Sequence, residues 1–84
     1  DFETLVYPNP AHDQLQVKFD AKAEEVMTLR ITDFSGRVVR DFSLVSNAGE
    51  NFHELEVITM TPGMYLLSIQ GEKSGKSIKT IVIQ

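Results

Sequence analysis

Two histidines and one short acidic segment are the residues of this chain that could do chemistry. His12 stands beside Asp13, and an adjacent imidazole and carboxylate could act as a general base and acid. His53 stands alone, whereas a zinc site needs three or four ligands. Asp20, Glu24 and Glu25 could offer oxygen atoms to calcium, but their spacing does not match a calcium-binding loop.

None of these groups favours catalysis or metal binding. Adjacent residues on a turn rarely form an acid–base pair, the chain has no cysteine, and no serine stands in a nucleophile-elbow context. We therefore expect His53 to be a half-buried strand residue and residues 20–25 to be a solvated loop. The prediction is a protein that is not an enzyme, with no catalytic residues, no metal and no other cofactor.

Length and charge allow one small domain that does not bind nucleic acid. The chain has 84 residues, of which 42% are hydrophobic and 24% are charged, as in folded globular proteins. A net charge of −4 disfavours binding to phosphates. The chain begins at Asp1 without a methionine or a signal peptide, so we expect a C-terminal module of a larger protein. The uncharged residues 57–71 are too few to span a bilayer, which predicts no transmembrane segment.

Apolar and polar residues alternate in several short runs, and turn signals separate these runs at intervals of roughly eight to twelve residues. Residues 14–19, 27–31 and 52–57 have the period of a half-buried strand. Residues 64–70 and 77–83 are apolar or β-branched and predict a terminal hairpin. Because no run has the helical period, we predict an all-β fold, a small Ig-like β-sandwich of about seven strands.

Glycine, proline and asparagine mark the predicted turns. Asp33 and Gly36 begin and end a tight turn, and residues 45–51 form a polar turn. Pro8 and Pro10 have no N–H group, so they predict a rigid corner between two sheets or at the rim of one. Residues 1–5 are expected to be a linker or processing region, or the start of a first strand.

Three short motifs occur in an order and at a spacing that are typical of one family. They are Tyr7-Pro8-Asn9-Pro10, then Asp33-x-Ser35-Gly36-x-Val38-Val39, and finally Gly63-Met64-Tyr65 ahead of a basic, β-branched last strand. In these motifs the chain resembles the type A C-terminal sorting domain, which marks cargo of the type IX secretion system in Gram-negative bacteria. The resemblance covers nearly the whole chain and implies a sorting domain from residue 6 to residue 84.

The resemblance implies that the terminal hairpin is a signal recognised by the secretion machinery. The implied recognition residues are Gly63, Tyr65, Lys79, Ile81, Val82 and Ile83. Pro8, Pro10, Asp33 and Gly36 are then motif residues with a structural role. The implied partners are the outer-membrane translocon and a sortase-like cell-surface peptidase. The implied route runs through the periplasm to the outer-membrane surface or the medium.

Each of these residues also has a purely structural interpretation. The glycines suit positive φ angles or close backbone approach, Tyr65 suits a buried ring with a bonded hydroxyl, and the lysines of the last strand discourage edge-to-edge pairing. The alternative function is an adhesion or carbohydrate-binding sandwich module. Such modules usually expose aromatic rings, whereas this chain has no tryptophan and only two tyrosines, both beside turn residues. This composition favours the sorting domain.

Overall fold

Seven strands, numbered in chain order, make up most of the computed structural model, which describes residues 2–84. They are β1 (Thr4–Tyr7), β2 (Gln14–Ala21), β3 (Val26–Asp33), β4 (Val38–Val45), β5 (Gly49–Glu56), β6 (Gly63–Gly71) and β7 (Gly75–Ile83). Residues 2–84 contain no helix, and therefore none that is long and apolar enough to cross a membrane. The all-β prediction and the number of strands are confirmed.

The strands form two antiparallel sheets that pack face to face. One sheet has the order β1–β2–β5 and the other has the order β4–β3–β6–β7. The hairpins β3–β4 and β6–β7 stay within the second sheet, while the chain crosses between the sheets after β2, β4 and β5. This arrangement confirms the predicted Ig-like sandwich.

The core lies between the two sheets because each strand turns alternate side chains inward. The buried apolar side chains of the first sheet include Leu15, Val17, Phe19 and Leu55, and those of the second include Met27, Leu29, Ile31, Leu67, Ile69 and Ile81. Burial of apolar surface contributes roughly 25 cal/mol per Å², so this layer is the main source of stability. Phe2 packs its ring against Phe19, with the ring centroids 6.0 Å apart.

The prediction of a polar turn over residues 45–51 is wrong at both ends. Strand β4 includes Val45, and β5 already begins at Gly49. The reason is Asn51, which is buried and pairs with Phe19 in the ladder. Its side-chain amide accepts a hydrogen bond from the N–H of Asn47 at 2.8 Å and donates to the carbonyl oxygen of Asn47 at 2.9 Å. Because the Asn51 side chain closes the turn by bonding Asn47, the residues from Gly49 onward can join β5 although they are polar.

Two further strand boundaries were not fixed by the alternation of apolar and polar residues. Strand β2 continues through Ala21, which is buried, so the predicted acidic loop is shortened to residues 22–25. Strand β1 begins at Thr4, within the segment for which a linker or the start of a strand was predicted. Asp1, the first residue of that segment, lies outside the described residues.

Candidate functional site

The three sequence motifs lie far apart along the chain but meet at one end of the sandwich. Gly63 pairs with Ile83, Tyr65 pairs with Asp33, and Ala11 bridges Ile83. Strands β3 and β7 both end here, and β4 and β6 both begin here. We call this end the motif pole, defined as residues 7–13, 33–38, 57–65 and 80–84.

Tyr65 fixes a corner of the motif pole from inside the core. Its side chain is buried, and its hydroxyl donates a hydrogen bond to the carbonyl oxygen of Thr61, just before Pro62. A tyrosine near the start of this strand, bonded to the corner before it, is a feature of Ig-like sandwiches. The predicted placement of the ring in the core and of the hydroxyl at the rim is confirmed.

Asp33 organises the turn between β3 and β4. Its Oδ1 atom accepts hydrogen bonds from the hydroxyl of Ser35 at 2.7 Å, the N–H of Ser35 at 3.0 Å and the N–H of Arg37 at 2.9 Å. The Ser35 hydroxyl and then the Arg37 N–H lower the pKa of the Asp33 carboxyl below its ordinary value. Gly36 has a φ of 95°, a left-handed conformation that disfavours any side chain. The turn predicted between Asp33 and Gly36 is confirmed.

Asn9 lies between Pro8 and Pro10 in the sequence. Through Asn9, the corner that the two prolines form after β1 of the first sheet is hydrogen-bonded to β7 of the second sheet. The side-chain amide of Asn9 donates to the carbonyl oxygen of Thr80 at 3.0 Å and accepts from the N–H of Val82 at 2.9 Å. An amide side chain carries the same donor and acceptor as a peptide group. Asn9 therefore substitutes for a strand residue along the outer edge of β7.

Ala11 extends this closure to the end of the chain. Its N–H donates to the carbonyl oxygen of Val82 and its carbonyl oxygen accepts from the N–H of Gln84, both at 2.8 Å. Sequence reasoning singled out Pro8 and Pro10 and missed Asn9. The available signal was an amide residue between two prolines, because a proline has no N–H with which to complete a neighbouring edge.

Sequence reasoning also missed Glu25, which holds the turn between β6 and β7 at the opposite end of the sandwich. Its carboxylate accepts from the N–H of Lys73 at 2.9 Å, the N–H of Ser74 at 2.8 Å and the hydroxyl of Ser74 at 2.6 Å. These bonds, first that from Lys73, lower the pKa of the Glu25 carboxyl. Gly71 leaves room for this contact, since a Cβ there would lie 2.8 Å from the Glu25 carboxyl carbon. No local pattern marks a contact between residues 48 positions apart.

The predicted recognition residues of β7 divide between the core and the surface. Ile81 and Ile83 are buried, and Val82 is half-buried. Lys79 pairs with the buried Leu67 but is itself exposed, and no acidic side chain of residues 2–84 forms an ion pair with it. Of these four residues, Lys79 and Val82 are therefore the ones that a partner can touch.

A shallow cleft of about 450 Å³ opens on the motif pole. It is lined by residues of the β3–β4 hairpin and of the segment that leads into β6, including Arg37, Arg40, Met60, Pro62 and Met64. Arg40 is held in place because it donates to the carbonyl oxygen of Glu56 at 3.0 Å and to the hydroxyl of Thr59 at 3.2 Å. The cleft mixes apolar and cationic groups, which suits contact with a polypeptide.

The residues that could take part in catalysis or metal binding are not grouped into one site. His12 and Asp13 contact each other with both side chains exposed, and His53 is half-buried with its ring 5.3 Å from that of Phe42. In the part of the chain that the structure describes, no three histidine, aspartate or glutamate side chains are grouped to hold a metal ion.

Comparisons with known proteins connect this architecture to a family. A comparison with curated proteins finds no match. Solved structures with a similar fold include a β-glucosidase from Listeria innocua in complex with glucose, with 13% identity and a TM-score of 0.52. The likeness covers 99% of this chain and 16% of that chain. A mutant of the same enzyme in complex with laminaribiose is 14% identical, with a TM-score of 0.52, and the likeness covers 100% of this chain and 16% of that one. These similarities show the fold alone.

The family profile of the secretion system C-terminal sorting domain matches residues 5–84. This range includes all three motifs and every strand from β2 onward. The chain therefore belongs to the family of C-terminal sorting domains of type IX secretion.

Proposed function

We propose that residues 6–84 are the sorting signal that takes an attached protein through the type IX secretion system and across the outer membrane. The observation that carries this proposal is the family match over residues 5–84. The domain is a binding module and not an enzyme. Its partners are the outer-membrane translocon and a sortase-like peptidase, and the cargo passes through the periplasm to the cell surface or the medium.

The geometry of the motif pole supports this function. Asn9 and Ala11, close to the segment that leads from the cargo, are hydrogen-bonded to β7. A partner that binds the terminal strand would therefore also lie close to that segment. Peptidase action upstream of the domain would then follow from binding at the pole.

We propose two different roles for the recognition residues. Gly63, Lys79 and Val82 touch the partner, because their side chains or main chain are accessible. Tyr65, Ile81 and Ile83 are buried, so they act by holding the surface in shape. Pro8, Pro10, Asp33 and Gly36 serve the same purpose through the corner and the turn that they form.

The alternative, a carbohydrate-binding module, has less support from the positions of the aromatic rings. Tyr65 is buried in the core. Three aromatic rings are exposed: Phe34 lies in the turn of the β3–β4 hairpin, while Tyr7 and Phe52 lie on β1 and β5, two strands of one sheet that β2 separates. A sugar-binding platform usually needs exposed rings that can stack on one ligand.

Export of a reporter fused ahead of residue 1 tests the proposed roles. Deletion of residues 77–84 removes Ile81 and Ile83 from the core, so it should block export whether the strand is a signal or only a structural element. Lys79→Ala is more selective, because an exposed substitution changes stability by no more than about 0.5 kcal/mol. We expect this variant to keep its melting temperature while its reporter accumulates in the periplasm.

Two further variants complete the test. Lys22→Ala, which removes an exposed lysine from the loop after β2, should leave export unchanged. Tyr65→Phe keeps the ring and removes only the hydroxyl that bonds Thr61. If Lys79→Ala and Tyr65→Phe both export the reporter normally, with the fold intact, recognition depends neither on Lys79 nor on the Tyr65 hydroxyl, and the recognised surface lies elsewhere on the domain.

A further inference from the structure

We propose that the open part of the outer edge of β7 is a docking site for an extended acidic segment of a partner protein. The segment would add to the sheet as one more strand. This inference rests on the proposed sorting function and deepens it, because it names the mode and the chemistry of recognition at the terminal strand.

One edge of β7 has no strand hydrogen-bonded to its main chain, although the hydroxyl of Thr4 on β1 donates to the hydroxyl of Ser77 at 2.7 Å. Strand β7 is the last of its sheet, and apart from the bridge between Ala11 and Ile83 it pairs with β6 alone among the described residues. In an antiparallel ladder, successive residues direct their N–H and C=O groups alternately toward the neighbour and away from it. The bonds of Val82 to Asn9 and Ala11 show that the even-numbered residues of β7 face outward. Lys76 and Ile78 have the same parity.

The outer edge of β7 is closed near the motif pole and open farther from it. Asn9 and Ala11 satisfy the carbonyl oxygen of Thr80 and the outward groups beyond it. Within residues 2–84, no hydrogen bond reaches the outward groups of Lys76 and Ile78 or the N–H of Thr80. Residues 76–80 therefore form an open edge about 17 Å long at a rise of ~3.4 Å per residue.

The side chains beside the open edge select an acidic partner. Lys76 and Lys79 are exposed, and neither forms an ion pair with another described residue. Ile78 lies between them in sequence and is 53% exposed. Opposite charges and apolar side chains that face each other across two strands are stabilising pairs. Lys79 and Ile78 project from opposite faces of β7, and Lys76 shares the face of Ile78, so the open edge carries one lysine on each face.

The direction of the added strand sets the sequence that it should carry. Every strand pair of this sheet is antiparallel, so we expect the partner to run antiparallel to β7. An acidic residue would face Lys79, an apolar residue would face Ile78, and a second acidic residue would face Lys76. The partner segment therefore has the pattern acidic–apolar–any–acidic along its own chain.

The same lysines disfavour a second copy of this domain as the occupant. Antiparallel pairing of two β7 edges would bring Lys76 and Lys79 of one copy close to the same residues of the other. Lysine on an exposed edge is a common device against such pairing. Self-association through β7 is therefore an outcome that would contradict the proposal.

The probe is a capped peptide of sequence Thr-Thr-Glu-Ile-Thr-Glu-Thr-Thr, titrated into the isotope-labelled domain. The amide signals of Lys76, Ile78 and Thr80 should shift, and their hydrogen exchange should slow. A peptide with lysine in place of both glutamates should have no such effect. If the amide signals show no saturable shift at peptide concentrations up to about 5 mM, the affinity of the edge for the peptide is negligible and the proposal is overturned. Shifts confined to another surface would also overturn it.

Two pairs of variants locate the peptide. Ile78→Pro removes an N–H group that β6 does not use, whereas Ile78→Val keeps that group. Lys79→Glu reverses a charge on the edge, whereas Lys22→Glu reverses one outside the edge. We expect the first member of each pair to weaken binding at least tenfold and the second to leave it nearly unchanged. If Ile78→Pro fails to fold, the Lys79→Glu pair alone decides between the outcomes.

Reporter export separates this inference from the function on which it depends. Export of the unchanged domain, together with failure of the peptide to bind the edge, would refute strand addition and leave the sorting function intact. Failure of the folded, unchanged domain to direct export would refute the sorting function itself. Binding of the peptide and loss of export in Lys79→Glu, but not in Lys22→Glu, are the results that we expect.

Discussion

Asn9→Ala tests whether the asparagine of the first motif holds the terminal strand in place. The substitution removes two hydrogen bonds to the main chain of β7, of 3.0 Å to the Thr80 carbonyl oxygen and 2.9 Å from the Val82 N–H. A hydrogen bond contributes about 0.5 to 1.5 kcal/mol net, and these two are exposed to water. We therefore expect the free energy of unfolding to fall by about 1 to 2 kcal/mol for the pair.

Urea denaturation measures this loss directly, and the m-value should stay constant if the unfolded state is unchanged. For a domain of this size, each kilocalorie lowers the melting temperature by about 4 to 8 °C. Hydrogen exchange adds a local test, because the Val82 amide should exchange faster once its acceptor is gone. Asn47→Ala is the control, since Asn47 bonds Asn51 through its main chain and not through its side chain.

The control should stay within about 0.5 kcal/mol of the unchanged protein, as surface substitutions usually do. If Asn9→Ala behaves like this control, and the Val82 amide exchanges at its original rate, the reasoning about Asn9 is wrong. The pairing of Ala11 with Val82 and Gln84 would then be enough to hold the end of β7.

Three further substitutions test the core, the acid response and the tyrosine corner. Leu29→Ala should lower the free energy of unfolding by about 2 to 5 kcal/mol, because Leu29 is fully buried; a loss below this range would mean that the core is not packed as described. Glu25 has a lowered pKa in the folded state, so its contribution to stability is complete above its ordinary pKa of 4.5 and is lost as the pH falls through the lowered value. As the pH falls through this range, the free energy of unfolding should therefore decrease less steeply in Glu25→Gln than in the unchanged protein. Equal slopes of the free energy of unfolding against pH would refute the role of the Lys73 and Ser74 bonds. Tyr65→Phe should lower stability by about 0.5 to 1.5 kcal/mol through loss of the bond to Thr61, and a calorimetric melting curve identical to that of the unchanged protein would contradict this.

Alternation along the strands was sufficient to predict the fold and most of the core. A period of two places every second side chain on the same face, so Leu15, Val17, Leu29 and Leu55 could be assigned to the interior without any knowledge of their partners. All four are buried. The tight turn at Asp33 was equally predictable, because its hydrogen bonds lie within the turn itself.

Contacts between distant residues could not be predicted in this way. Asn9 bonds residues more than 70 positions away, and Glu25 bonds a turn 48 or 49 positions away. The sequence patterns near these residues describe only their local conformation. The start of β5 at Gly49 was missed for a related reason, because a buried asparagine closes the preceding turn with its own side chain.

The central claim is that this domain alone carries the information for export, and its transfer to a foreign protein tests that claim most directly. A folded reporter with an inner-membrane export signal would carry residues 1–84 at its C-terminus, in a strain with an active type IX translocon and in one without it. We predict reporter at the cell surface or in the medium only in the first strain, and reporter retained in the periplasm in the second. The same distribution in both strains, with the domain folded, would contradict the claim.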